Sequence, residues 1–92
     1  MTMSVARNGF TLAQAMAVAD EIGLDFGVEA FGPEAFRAGM EVELEHGRRD
    51  PRTDVTHDDP LVTGKIAWAH LLEMPDYYER LEELERAADQ GR

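Results

Sequence analysis

Residues 33–47 read PEAFRAGMEVELEHG, and their secondary structure sets the fold class. Glutamates alternate with apolar residues near the end of this stretch, as in a strand, whereas other positions favour a helix. Pro33 has the backbone angle favoured at a first helical position, and Glu34 lies in the first turn, where the helix dipole favours an acid. Gly47 suits the left-handed position that ends many helices. The stretch therefore predicts a helix over residues 33–46, in which the alternation is incidental.

A helical wheel separates the three glutamates at the end of this helix. At about 100° per residue, Glu41 and Glu45 fall in the polar sector. Glu43 projects from the other side, near Gly39 and His46. Because glycine has no side chain, another segment can approach the helix beside Glu43. Glu43 is therefore predicted to point toward the interior.

Comparable signals predict the other helices. Thr11 and Gln14 form a capping box, Asp59 and Pro60 form a cap and a first helical position, and Pro75 cannot continue a preceding helix. The sequence therefore predicts an all-α fold, a compact bundle of three to four helices. The predicted helices cover residues 12–22, 33–46, 60–74 and 75–88, in a single domain of residues 11–90 that follows an N-terminal tail of residues 1–10. The predicted core consists of Phe36, Met40, Leu44, Ile66, Trp68, Leu71, Leu72, Tyr77 and Leu81.

The composition excludes several classes of protein. The 92 residues include no cysteine, so disulfides, thiolate metal sites and cysteine nucleophiles are impossible. No stretch approaches the ~20 apolar residues of a membrane span, and no secretory leader is recognisable. The net charge of −10 repels nucleic-acid phosphates and anionic membranes. We therefore expect a soluble, cytoplasmic protein with no membrane and no direct nucleic-acid contact.

Two pairs of ionisable side chains lie on helix faces that are predicted to be buried. Glu43 and His46 are three residues apart, as are His70 and Glu73 on a helix that is apolar on nearly every side. If the two helices pack together, these four side chains form a candidate metal site for iron, manganese or zinc, because paired E-x-x-H segments build such sites in helical bundles. The second pair has the reverse order, however, and no bridging carboxylate is identified. A hydrogen-bonded packing network without a metal explains the same four side chains at least as well, and acid–base catalysis is the third alternative.

Four blocks together resemble a family of small, functionally uncharacterised bacterial proteins. The blocks are ELEHG (43–47), DVTHDDP (54–60), TGKIAWAHL (63–71) and PDYYERL (75–81). The resemblance implies one compact helical domain and brings no established activity, substrate or cofactor. The signature positions that it implies are Glu43, His46, Lys65, His70, Asp76 and Tyr77.

No catalytic signature is present, so three functional hypotheses follow from these features. The first is a small acidic, non-enzymatic domain that acts through a protein partner or as a homo-oligomer or accessory subunit. The second is the metal-binding helical protein just described. The third is an acidic inhibitor that mimics the charge of nucleic acids, and it depends on net charge alone.

Overall fold

A computed structural model describes residues 9–90, which form four helices with no strand among them. The all-α prediction is therefore confirmed. Residues 1–8 of the predicted N-terminal tail lie outside the described residues. The helices are α1 (Leu12–Ile22), α2 (Pro33–Arg49), α3 (Pro60–Glu73) and α4 (Tyr77–Gln90).

The beginnings of α1 and α3 follow from side-chain caps. The Thr11 hydroxyl accepts a hydrogen bond from the backbone N–H of Gln14 at 3.1 Å, and the Gln14 side chain accepts one from the Thr11 N–H at 2.9 Å. At α3, the Asp59 carboxylate accepts from the N–H of Leu61 at 2.8 Å. Each bond satisfies a donor that the helix itself leaves without a partner. Both caps are those that the sequence predicts.

The prediction that Gly47 ends α2 is wrong, because the helix continues to Arg49. Gly47 is buried inside the helix, and a Cβ atom there would lie 2.6 Å from the Thr56 hydroxyl oxygen and 2.8 Å from a carboxylate oxygen of Asp54. The loop of residues 50–59 thus folds back onto the last turns of α2. The glycine permits this close approach and does not provide a left-handed turn.

The turn between α3 and α4 forms around Pro75. The backbone N–H of Met74 donates to the carbonyl of His70 at 3.0 Å, and the N–H of Tyr77 donates to the carbonyl of Met74 at 2.9 Å. Proline cannot continue a helical hydrogen-bond ladder, so α3 ends at Glu73. The fourth helix therefore begins two residues later than predicted.

The core lies between α1, α2 and α3, and Tyr78 of α4 joins it. Its buried members are Phe10, Ala15, Val18, Ala19, Leu24, Phe31, Phe36, Met40, Leu44, Ala67, Leu71 and Tyr78. Phe10 therefore belongs to the core, although the prediction places it in the tail. Arg37 holds this segment against α2 by donating to the Phe10 carbonyl at 3.1 Å.

The predicted core is too broad on α3. Phe36, Met40, Leu44 and Leu71 are buried as predicted, whereas Ile66, Trp68, Tyr77 and Leu81 are half-buried. Leu72 is 60% exposed, so the prediction that it belongs to the core is wrong. The side of α3 that carries Leu61, Lys65, Ala69 and Leu72 is largely open to solvent among the described residues.

The connection between α1 and α2 is fixed by its aromatic rings. Phe26 makes edge contacts with Phe31 and Phe36 at centroid distances of 6.2 and 5.9 Å. The indole N–H of Trp68 donates to the Glu29 carboxylate at 2.7 Å and links the same segment to α3.

Candidate functional site

Three side chains from α2, α3 and α4 meet at one carboxylate oxygen. The Tyr78 hydroxyl donates to Oε2 of Glu43 at 2.6 Å, and Nδ1 of His70 lies 2.8 Å from the same oxygen. The hydroxyl and Nδ1 are themselves 3.1 Å apart. We call Glu43, His70 and Tyr78 the Glu43 network. It joins three consecutive helices through one acceptor atom.

The network makes the burial of Glu43 tolerable. Glu43 is only 7% exposed, and a buried carboxylate without partners costs several kcal/mol. A carboxylate can only accept, so Nδ1 of His70 donates to it. Burial raises the pKa of the Tyr78 phenol, and the hydrogen bond to Glu43 and the negative charge of Glu43 raise it further. The phenol therefore stays protonated and acts as a donor.

Neighbouring rings hold the network in place. The imidazole of His70 stacks on the ring of Tyr77, with centroids 4.4 Å apart and planes at 12°. Tyr78 lies edge-on to Tyr77 at 4.8 Å and packs against Gly39. A Cβ atom at Gly39 would lie 2.5 Å from Cε2 of Tyr78. The close approach that the sequence predicts beside Glu43 is thus made by this ring.

The structure brings together two of the four side chains of the predicted metal site. Glu43 and His70 are in contact, whereas His46 is half-buried and Glu73 is exposed, and no contact joins either of them to the pair in the part of the chain that is described. Within residues 9–90, no group of three or more His, Asp or Glu side chains is arranged to hold a metal ion. The metal site stays a prediction.

The other positions that the resemblance implies as a signature have different surroundings. Lys65 is exposed, Asp76 pairs with Arg80 at 2.9 Å, and Tyr77 stacks on His70. Tyr78 is the member of the Glu43 network that sequence reasoning missed, because the predicted core takes Tyr77 and Leu81 from this helix and leaves out Tyr78. The signal that points to Tyr78 is indirect: a glycine beside a buried carboxylate leaves room for a flat side chain with a donor.

A groove of about 510 Å³ opens between α2 and α4, and we call it the α2–α4 groove. Its floor is formed by Ala35, Ala38, Val42, Leu71, Pro75, Tyr78 and Leu81, and its rim by Glu34, Glu79, Glu82 and Glu85. Tyr78 belongs to both the groove floor and the Glu43 network. The hydrogen bonds at the back of this ring therefore fix part of the groove.

The rim carries uncompensated negative charge. Glu34 accepts from Arg37 at 2.7 Å, which lowers the pKa of Glu34, and Arg86 donates to Glu82 at 2.9 Å. Glu79 and Glu85 form no ion pair within the described residues. Among residues 9–90, no lysine or arginine lines the groove, and two of the four rim carboxylates have no cationic partner.

None of the helices in residues 9–90 has the length and apolar composition needed to cross a membrane.

Comparisons with known proteins identify a family. No curated protein and no solved structure matches the chain. A model of the family described as "Protein of unknown function (DUF5661)" matches residues 15–87. Because this match spans most of the chain, the protein belongs to the DUF5661 family.

Proposed function

We propose that the protein is a non-enzymatic interaction domain and that it contacts a protein partner through the α2–α4 groove. The observation that carries this proposal is the open, apolar floor of the groove. When a partner covers a concave apolar surface with a polar rim, the removal of that surface from water lowers the free energy and favours association. The half-buried Ala35, Ala38 and Val42 leave space that a partner's side chains would fill.

A fixed floor supports a binding role. Tyr78 is held by its hydrogen bond to Glu43, so the ring presents the same face to the groove before and after a partner binds. Preorganised surfaces lose less conformational entropy on association. The Glu43 network would thus position the floor through the Tyr78 ring, and Glu43 and His70 need not touch the partner.

We further infer that the blocks quoted from the sequence are a family signature because they maintain this network. Glu43, His70 and Tyr78 each lie in a different one of the blocks ELEHG, TGKIAWAHL and PDYYERL. The three segments meet only in the folded protein, at Oε2 of Glu43. A shared structural contact would explain why they occur together in one chain.

A substitution in the floor tests the proposed surface. Ala38→Glu places a charge in the groove, and Ala13→Glu, at an exposed position of α1, is the matched control. Selection of displayed helical peptides against the wild-type protein should yield binders that lose affinity for Ala38→Glu and keep it for Ala13→Glu. Binders that are insensitive to Ala38→Glu, or selection that enriches none, would reject the groove as the contact surface. Circular dichroism would check that both variants are folded.

Metal binding is the second candidate function, and the contact between Glu43 and His70 supports it. A carboxylate that holds Nδ1 of an imidazole leaves Nε2 for a metal ion. Iron, manganese or zinc needs several ligands, so His46 and Glu73 would have to approach His70. Elemental analysis of protein purified without an affinity tag is the test, with Glu43→Ala and His70→Ala as variants. Stoichiometric metal that both variants lose would support the site, and metal-free protein would refute it.

A further inference from the structure

We propose that the occupant of the α2–α4 groove is a basic amphipathic helix of the partner protein. This inference rests on the proposed function and adds the chemistry of the partner. Three features of the groove carry it: its length, its small apolar residues and the sign of its rim.

The length of the groove fits two turns of a helix. The lining residues run from Glu34 to Val42 on α2 and from Tyr78 to Glu85 on α4. At a rise of about 1.5 Å per residue, these stretches are roughly 10 to 12 Å long. Two turns of a docked helix present apolar side chains at positions i, i+3 or i+4, and i+7. Those side chains would lie over Ala35 and Ala38, where the floor is lowest in side-chain volume.

The rim selects for positive charge. Glu34 and Glu82 are paired with arginines of their own helices, so the charge that remains for a partner comes from Glu79 and Glu85. Lysine or arginine residues that flank the apolar face of a docked helix would lie next to these carboxylates. Such rim pairs add to association rates and to specificity, and like charges are repelled. An acidic helix, a nucleic acid or an anionic lipid surface is thereby disfavoured.

The same rim disfavours a second copy of this chain. Its helix α4 carries Glu79, Glu82, Glu83, Glu85 and Asp89 against two arginines. A dimer that places α4 of one copy in the groove of the other would bring carboxylates together on both sides. A partner with the opposite charge avoids this repulsion.

Three synthetic helical peptides, each about 16 residues or four turns long, test the partner's charge. All three carry leucine at the same i, i+3 and i+7 positions, and the flanking positions are lysine and arginine, glutamine, or glutamate. We expect the cationic peptide to bind about tenfold more tightly than the neutral one, and the acidic peptide not to bind, by fluorescence anisotropy. Raising the ionic strength from about 0.05 M to about 0.5 M should weaken the binding of only the cationic peptide, because salt screens exposed charges.

Paired neutralisation locates the charge effect on the rim. In Glu79→Gln/Glu85→Gln the cationic peptide should bind no more tightly than the neutral one. The matched control, Glu21→Gln/Glu45→Gln, removes the same charge from exposed positions outside the groove and should change the affinity little. All variants carry an isosteric amide, and circular dichroism checks that each is folded.

The outcomes separate this inference from the proposed function. Equal affinity for the cationic and neutral peptides, abolished by Ala38→Glu, would overturn the charge requirement and leave the groove as the contact surface. Affinity that is indifferent to Ala38→Glu, or no binding of any peptide, would overturn both. A wild-type dimer in sedimentation equilibrium that Ala38→Glu dissociates would assign the groove to a second copy and overturn the basic partner.

Discussion

Replacing Gly39 by alanine should destabilise the protein, although alanine is the better helix former. A Cβ atom at this position would lie 2.5 Å from Cε2 and 2.9 Å from Cδ2 of Tyr78, whereas nonbonded carbons are comfortable at about 3.5 to 4.0 Å. The ring would have to withdraw by about 1 Å, judged by that same contact distance. Its hydroxyl is held at 2.6 Å from Glu43, so the movement strains the Glu43 network as well.

Two destabilising contributions and one stabilising contribution set the size of the change in the free energy of unfolding. Overpacking a filled site typically costs about 2 kcal/mol. Weakening a hydrogen bond to a buried carboxylate adds about 1 kcal/mol. The exchange of glycine for alanine inside a helix returns about 1 kcal/mol. We therefore expect Gly39→Ala to lower the free energy of unfolding by about 2 kcal/mol, measured by urea denaturation followed by circular dichroism.

In a protein that lacks the Tyr78 ring, Gly39→Ala should have the opposite effect on the free energy of unfolding. In Tyr78→Ala the ring is absent, so Gly39→Ala should raise the free energy of unfolding by about 1 kcal/mol relative to Tyr78→Ala alone. Tyr78→Ala itself removes a buried aromatic ring at a cost of about 3 to 5 kcal/mol, and Tyr78→Val provides the same comparison if too little folded protein remains. Ala17→Gly, at an exposed position inside α1, calibrates the helix-propensity contribution. If Gly39→Ala stabilises the wild-type protein, the close approach of Tyr78 is wrong.

Three further predictions concern contacts elsewhere in the fold. Burial raises the pKa of Tyr78 above its ordinary value of 10.0, so the folded phenol stays protonated at a pH where the unfolded phenol ionises. The free energy of unfolding should therefore fall as the pH rises above 10.0. Tyr78→Phe should not show this loss when urea denaturation is measured at successive pH values. Asp59→Ala removes the cap of α3 and should cost about 1 kcal/mol, whereas Asp59→Asn should cost little; equal urea midpoints for the two variants would contradict this. Glu29→Ala should shift the NMR resonance of the Trp68 indole proton and lower stability by about 1 kcal/mol, whereas an unmoved resonance would show that the hydrogen bond is not formed in solution.

The limits of the helices were predictable where a side chain caps the backbone. Thr11 and Gln14 bond to each other's backbone at α1, and Asp59 bonds to the backbone N–H of Leu61 at α3. These bonds join residues no more than three apart, so the local sequence is enough to predict where both helices begin. The end of α2 was not predictable in this way. Gly47 reads as a helix terminator when only neighbours in sequence are considered, but the contact that explains it comes from Asp54 and Thr56 in a returning loop.

The candidate site was predictable in part for the same reason. A wheel shows that Glu43 leaves the polar face of its own helix, and its burial follows from that geometry. It does not show which group on another helix will meet the carboxylate. His70 was paired with Glu73 and Glu43 with His46 because residues three apart share a face, yet the observed contact crosses from α2 to α3. Hydrogen-bond partners between helices depend on packing angles that spacing does not encode.

The position of the Glu43 network relates stability to the proposed binding surface. Residues 82–89 of α4 are all exposed, so this helix is anchored to the body mainly by Tyr77, Tyr78 and Leu81 in its first turns. The width of the α2–α4 groove therefore depends on a ring whose hydroxyl is bound to Glu43. A helix that fills the groove would contact both walls and add to the burial of α4, the least buried of the four helices. The buried carboxylate would thus serve binding indirectly, because it keeps one wall in place until the partner supplies the remaining contacts.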